Sequence, residues 1–190
     1  MSKKPAFICI EHSIVNGFPH RRSECFVSLL RQELSEYDII NKGENGDTAT
    51  GVRARYERDV LSKNPSAVLI MTGTNDFILG TSTVTKIMSI LVELTEKANA
   101  IGAKVIHLTP IQCDAKKANV CWMPTDYVSA NANLAALSSQ MKKYSIENPN
   151  CQVIDLQEAY KRYNRFVDGI HPTVGGHRFI ANLIKKELRI

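Results

Sequence analysis

A three-layer α/β/α sandwich built on a five-stranded parallel sheet is the fold the sequence predicts. Two observations carry that expectation. Short, wholly apolar runs recur along the chain, and amphipathic stretches of helical period separate them. A third observation says where function should lie. Polar residues gather just after several of the apolar runs, and in open parallel sheets ligands sit beyond the C-terminal strand ends.

Taken in order, residues 7–10 (Phe-Ile-Cys-Ile) predict the first strand. Over residues 23–35, Phe26, Leu30 and Leu34 recur four apart, the stripe of an amphipathic helix. Residues 37–40 predict the second strand. Val52, Tyr56 and Val60 then share one helical face over residues 51–62. Residues 66–71 predict the third strand. Val84, Ile87, Met88, Leu91 and Leu94 mark a long helix that ends at Gly102, a favoured C-cap residue. Residues 104–108 predict the fourth strand, stopped by Thr109-Pro110. A helix over residues 126–144, a fifth strand over 151–155 and a last helix over 174–188 complete the pattern. Right-handed crossovers lead to a doubly wound sheet in the flavodoxin-like order 2-1-3-4-5.

The length, 190 residues, fits one domain over 1–190 that needs no disulfide or structural metal. The longest apolar runs, such as residues 67–71, are too short to span a bilayer. Lys3-Lys4 is followed by only a short apolar run before Glu11, which suits a buried strand better than a secretory signal. The five cysteines (Cys9, Cys25, Cys113, Cys121, Cys151) are odd in number and lack Cys-x-x-Cys pairing, so a cytoplasmic location is expected. The net charge of +5 comes from short, scattered basic clusters such as His20-Arg21-Arg22 and Lys116-Lys117. These read as solvated surface rather than as a nucleic-acid site.

Four segments at strand ends carry candidate chemistry. They are residues 11–17 (Glu-His-Ser-Ile-Val-Asn-Gly), 41–48 (Asn-Lys-Gly-Glu-Asn-Gly-Asp-Thr), 72–76 (Thr-Gly-Thr-Asn-Asp) and 168–172 (Asp-Gly-Ile-His-Pro). A serine nucleophile needs a base, an orienter for that base and donors for the oxyanion. Ser13 is the candidate nucleophile, His171 its base and Asp168 the orienter. Gly46 offers a backbone N–H free of a Cβ, and the Asn75 side-chain amide offers a second donor.

These blocks resemble those of the SGNH hydrolases, also called GDSL esterases/lipases. Ser13, Gly46, Asn75 and His171 stand at the four namesake positions. Gly73-Thr74-Asn75-Asp76 matches the Gly-x-Asn-Asp block, and Asp168-x-x-His171 the C-terminal Asp-x-x-His block. Asn41-x-Gly43-x-x-Gly46-Asp47-Thr48 resembles the second block. The resemblance implies ester hydrolysis through an acyl-enzyme, without metal or cofactor. It also implies a triad of Ser13, Asp168 and His171, and an oxyanion hole of the Ser13 N–H, the Gly46 N–H and the Asn75 side chain. The partner it implies is a small-molecule ester: a short-chain or acetyl ester foremost, with acetylated sugars, thioesters and lysophospholipids compatible. One block departs from the family, where Gly-Asp-Ser is usual and Glu11-His12-Ser13 stands here. A non-catalytic binding module on the same fold is therefore the alternative. A flavodoxin-like FMN protein is a remoter one, opposed by the lack of a Ser/Thr-rich loop after the first strand. Oligomeric state has no signature in the sequence.

Of the remaining polar residues, Asp76 is expected to serve the loop structurally. His12 reads as a spare general base, a substrate contact or a surface histidine, the last two preferred; His107 is expected to be a packed strand residue, and His177 surface or core-edge. Cys9 and Cys151 read as small core hydrophobes. Residues 110–124 form a long connection, a lid or pocket wall. In it Val120, Trp122 and Met123 are candidates to meet an acyl group, unless Trp122 only pins the loop.

Overall fold

The computed structural model describes residues 4–188; Lys3 of the basic Lys3-Lys4 pair lies outside the described residues. The strands are β1 (Ala6–Glu11), β2 (Asp38–Gly43), β3 (Ala67–Ile70), β4 (Lys104–Leu108) and β5 (Cys151–Ile154). They form one sheet in the order β2-β1-β3-β4-β5, with every pairing parallel. The helices are α1 (Ser13–Asn16), α2 (Phe26–Glu33), α3 (Ala49–Asp59), α4 (Thr74–Ile78), α5 (Val84–Ala100), α6 (Ala115–Cys121), α7 (Tyr127–Glu147), α8 (Leu156–Tyr163) and α9 (Val174–Leu188).

The apolar runs have their physical cause in the layering. Phe7 and Cys9 join Leu69 and Ile106 on one face of the sheet, with Phe26, Leu30, Tyr160, Ile180 and Ile184 from α2, α8 and α9. Ile8 and Ile10 join Val68, Ile70 and Val105 on the other, with Val52, Tyr56, Ile87, Leu94, Leu134 and Leu137 from α3, α5 and α7. A strand covered on both faces cannot alternate with polar residues, so it reads as a continuous apolar stretch.

Three differences from the sequence pattern bear on the site. First, β2 runs on to Gly43 although its last residues are polar. Cys9 pairs with Asn41, Ile10 with Lys42 and Glu11 with Gly43. Main-chain pairing at an edge strand tolerates polar side chains, so the ladder outlasts the apolar run. Second, short helices α1 and α4 begin at the polar strand ends after β1 and β3. Third, residues 110–124 contain α6, capped by the Asp114 carboxylate, which accepts the Lys117 N–H at 3.1 Å.

Two histidines belong to the core. His107 fulfils its expectation in β4: its Nε2–H donates to Thr95 Oγ1 at 2.8 Å, because the Thr95 hydroxyl proton is spent on the Leu91 carbonyl. Burial lowers its pKa to about 4. His177 is neither surface nor core-edge but fully buried. It packs parallel to Phe26 and edge-on to His20, and its Nδ1 accepts the Phe26 N–H at 3.3 Å. Burial foremost, then the neighbouring His20 and His171, lowers it to about 3. The packing of α9 on α2 makes this position internal, which helical period alone did not reveal.

Candidate active site

Ser13 starts α1 directly beyond β1, and its Oγ lies 2.8 Å from His171 Nε2. The other ring nitrogen, Nδ1, lies 2.7 Å from Asp168 Oδ2. Facing a carboxylate, Nδ1 carries the proton, so Nε2 accepts the Ser13 hydroxyl. Asp168 Oδ1 also accepts the Ile170 and His171 N–H groups at 3.0 and 2.8 Å. Burial opposes the Asp168 charge, but the bonds from the His171 ring and from these two amides outweigh it and bring the carboxyl down to about 2.

The turn that holds this pair is braced from both sides. Phe166 and Pro172 form an antiparallel bridge, and the Val167 N–H donates to the His171 carbonyl at 2.9 Å. Gly169 has φ +90°, and a Cβ there would stand 2.3 Å from the Ala118 backbone nitrogen of α6. Glycine is required twice over, by conformation and by the approach of α6. Lys117 Nζ donates to the Phe166 carbonyl at 2.7 Å, and the Asp114 N–H to the Gly169 carbonyl at 2.8 Å. Residues 110–124 thus support the Asp168–His171 turn as well as walling the cleft. Gly169 was legible as a glycine between the two polar residues, but its packing role was not.

Gly46 and Asn75 both line the same cleft as Ser13 and His171. Gly46 has φ +78°, while a Cβ there would meet nothing within 4 Å. Backbone conformation, rather than crowding by the protein, is what asks for glycine there. Asn75 Nδ2 donates to the Asp47 carbonyl at 2.8 Å, which leaves its second amide hydrogen unspent.

Arg55, unremarked in the sequence, fastens this region. It is buried, and its guanidinium reaches Asp47 Oδ2 at 2.7 Å, the Lys42 carbonyl at 2.8 Å, the Glu11 carbonyl at 3.0 Å and Asp59 Oδ2 at 3.2 Å. It ties the ends of β1 and β2 to the Gly46 loop. Its signal was a charged residue one place from Tyr56 on α3, visible only once that face is known to be internal. Asp76 has the structural duty expected of it, since both its oxygens accept the Ala49 N–H at the start of α3. Burial raises its pKa, against the pull of the Ala49 amide and of His12.

The cleft measures about 710 Å³. Phe18, Ile78, Leu79, Trp122, Met123, Tyr127 and Ile170 give it apolar walls around the polar groups. The Trp122 ring stands 5.7 Å from the His171 ring and 6.4 Å from Phe18, and 41% of its surface is exposed. It is therefore wall rather than loop anchor. Val120 points to solvent and does not line the cleft, contrary to the expectation from its neighbours.

His12 also departs from expectation. It is buried, with Nε2 2.6 Å from the fully buried Glu11 Oε1 and Nδ1 3.4 Å from Ser13 Oγ. Glu11 replaces the usual small residue without opening the turn, because its Oε2 accepts the Val15 N–H at 2.8 Å and so caps α1. No three His, Cys, Asp or Glu side chains cluster as metal ligands among the described residues.

The profile of the GDSL-like Lipase/Acylhydrolase family matches residues 12–179. The chain belongs to that family. Among similar proteins, the acetylxylan esterase of Geobacillus stearothermophilus is 24% identical over 163 residues, covering 79% of this chain and 71% of that protein. Esterase TesA of Pseudomonas aeruginosa is 32% identical over 90 residues, 45% of this chain and 44% of TesA. A solved member of the lipolytic G-D-S-L family from Veillonella parvula superposes with a TM-score of 0.82 at 22% identity, covering 95% of this chain and 96% of that one. As a family member this protein is a GDSL-type serine esterase/acylhydrolase. No helix among the described residues is long and apolar enough to cross a membrane.

Proposed function

We propose that this GDSL enzyme hydrolyses short-chain carboxylic esters, acetyl esters foremost, through an acyl-Ser13 intermediate. The observation that carries the reading is the unbroken hydrogen-bonded line from Ser13 Oγ to His171 (2.8 Å) to Asp168 (2.7 Å) at the rim of the cleft. His171 Nε2 takes the hydroxyl proton as Ser13 Oγ attacks the ester carbonyl. The Ser13 N–H, the Gly46 N–H and the free Asn75 amide hydrogen receive the oxyanion. His171 then returns the proton to the departing alcohol, and water, activated by the same imidazole, releases the acid. Asp168, held ionised, keeps Nδ1 protonated and stabilises the imidazolium.

Acetyl preference draws support from the acetylxylan esterase relative and from Phe18 and Trp122 crowding the His171 ring. Five free cysteines fit a reducing cytoplasm as its setting. The alternative of a catalytically impaired binding module gains nothing from the first block, since Glu11-His12 leaves Ser13 in contact with His171. The test is hydrolysis of p-nitrophenyl esters across acyl lengths. Wild type should favour acetate, and Ser13→Ala should lose at least about 10³-fold in kcat/KM. A Ser13→Ala variant of undiminished activity would overturn the proposal.

A further inference from the structure

Ser13 is flanked by two imidazoles, each backed by its own carboxylate. Its Oγ lies 2.8 Å from His171 Nε2 and 3.4 Å from His12 Nδ1. We propose that His12, held by Glu11, is a second general base for Ser13, secondary to His171 and able to carry acylation when His171 is removed. The inference rests on the reading of Ser13 as nucleophile.

The geometry of Glu11–His12 is that of a built pair. Both side chains are withdrawn from water, and a buried carboxylate without a partner is strongly disfavoured. Glu11 Oε1 and His12 Nε2 have no hydrogen-bond partner of good alignment among the described residues, and they approach each other to 2.6 Å. Two lone pairs would repel at that distance, so a proton lies between them; Glu11 Oε2 accepts the Val15 N–H as a carboxylate does, and the proton is assigned to Nε2. In the neutral ring, Nδ1 is then the lone pair presented to Ser13 Oγ. His171 uses its nitrogens the other way round, Nδ1 toward Asp168 and Nε2 toward the serine. The charged group that faces His12 from the neighbouring element is Asp76 of α4, whose own titration is shifted by His12. Glu11 Oε1 stays beside the ring as Nδ1 gains the proton, so the new positive charge forms next to a carboxyl group.

The step balances. The Ser13 O–H bond breaks, its proton passes to His12 Nδ1 and Oγ bonds to the ester carbon. The carbonyl π pair moves to oxygen. Collapse then expels the leaving group with its bonding pair. From p-nitrophenyl acetate that group leaves as p-nitrophenolate and needs no proton, so acylation of this substrate reports base function alone. His12 keeps this proton until deacylation, when Nδ1 returns it to the expelled Ser13 Oγ and the attacking water sheds its own proton to solvent.

The experiment measures the acylation rate with p-nitrophenyl acetate, together with adduct formation by a fluorophosphonate, in five proteins: wild type, Ser13→Ala, His171→Ala, His12→Gln, and His171→Ala combined with His12→Gln. His12→Asn serves as a second variant should the glutamine fail to fold, as judged by thermal unfolding. The expectation is that His171→Ala acylates roughly tenfold or more faster than the double variant. His12→Gln should also cost more in the His171→Ala background than in wild type. Equal rates for His171→Ala and the double variant overturn the proposal. So does the same fold-loss from His12→Gln in both backgrounds, the mark of a merely structural residue. If Ser13→Ala keeps wild-type activity, the nucleophile assignment itself has failed, an outcome distinct from either.

Discussion

Two histidine–carboxylate pairs meet at one serine, and the chain builds them differently. Asp168 and His171 are three residues apart on a tight turn, where one carboxylate accepts two backbone amides and the imidazole ring. Glu11 and His12 are adjacent at the end of a central strand, where successive side chains diverge. They meet only because the chain turns at His12, and their contact is short but poorly aligned. The first pair borders the cleft, whereas the second is sealed in the protein. Residue types alone do not rank such pairs. Spacing sets the alignment, and burial sets whether the proton can be exchanged.

The sharpest break in this comparison is to neutralise each carboxylate in turn. Asp168→Asn should lower kcat on the order of 10³- to 10⁴-fold, because the imidazole loses the acceptor that fixes its tautomer. Glu11→Gln, with His171 intact, should cost about tenfold or less in kcat while lowering thermal stability. Steady-state kinetics with p-nitrophenyl acetate and melting curves on both variants check the ordering. A larger kcat loss from Glu11→Gln would reverse it.

A gentler perturbation disturbs one pair and spares the other. Gly169→Ala forces an L-residue to φ +90° and pushes its Cβ against α6. The expected cost is about 1–3 kcal/mol of stability, with a loss of kcat that His12 cannot fully offset. Urea unfolding and the rate at saturating ester check it; an unchanged midpoint contradicts the bracing role of α6.

The smallest effect concerns histidines away from the serine. His177 and His107 are lowered to about 3 and about 4 when folded, whereas an unfolded histidine titrates near 6.5. As pH falls below about 6.5 the unfolded chain binds protons that the native chain refuses, so their contribution, full above that pH, is lost progressively toward pH 4 and below. Each histidine contributes about 1.4 kcal/mol of loss per pH unit within its window. Urea midpoints should therefore fall steadily from pH 7 to 4.5, and a flat profile contradicts the burial of these rings as neutral groups.

The five strands were legible because a strand buried on both faces leaves an apolar run, and right-handed crossovers made the observed order 2-1-3-4-5 the leading choice. The line Ser13–His171–Asp168 was legible as residue types at strand ends, and the structure brings them within hydrogen-bond distance. Other features depended on tertiary contact and left no periodic signal. His12 and His177 looked like surface because a single polar letter does not say which neighbours enclose it. Arg55 and Gly169 act through main-chain groups remote in sequence, at Glu11, Lys42 and Ala118. The paired extension of β2 is a backbone property that side-chain polarity conceals.

The chemistry proposed for this site requires Ser13 to be the activated nucleophile despite its Glu11-His12 setting. Intact-mass spectrometry after treatment with a fluorophosphonate tests it most directly. The wild type should carry a single adduct, mapped by peptide analysis to Ser13, and Ser13→Ala none. An unlabelled wild type, or equal labelling of Ser13→Ala, would contradict it.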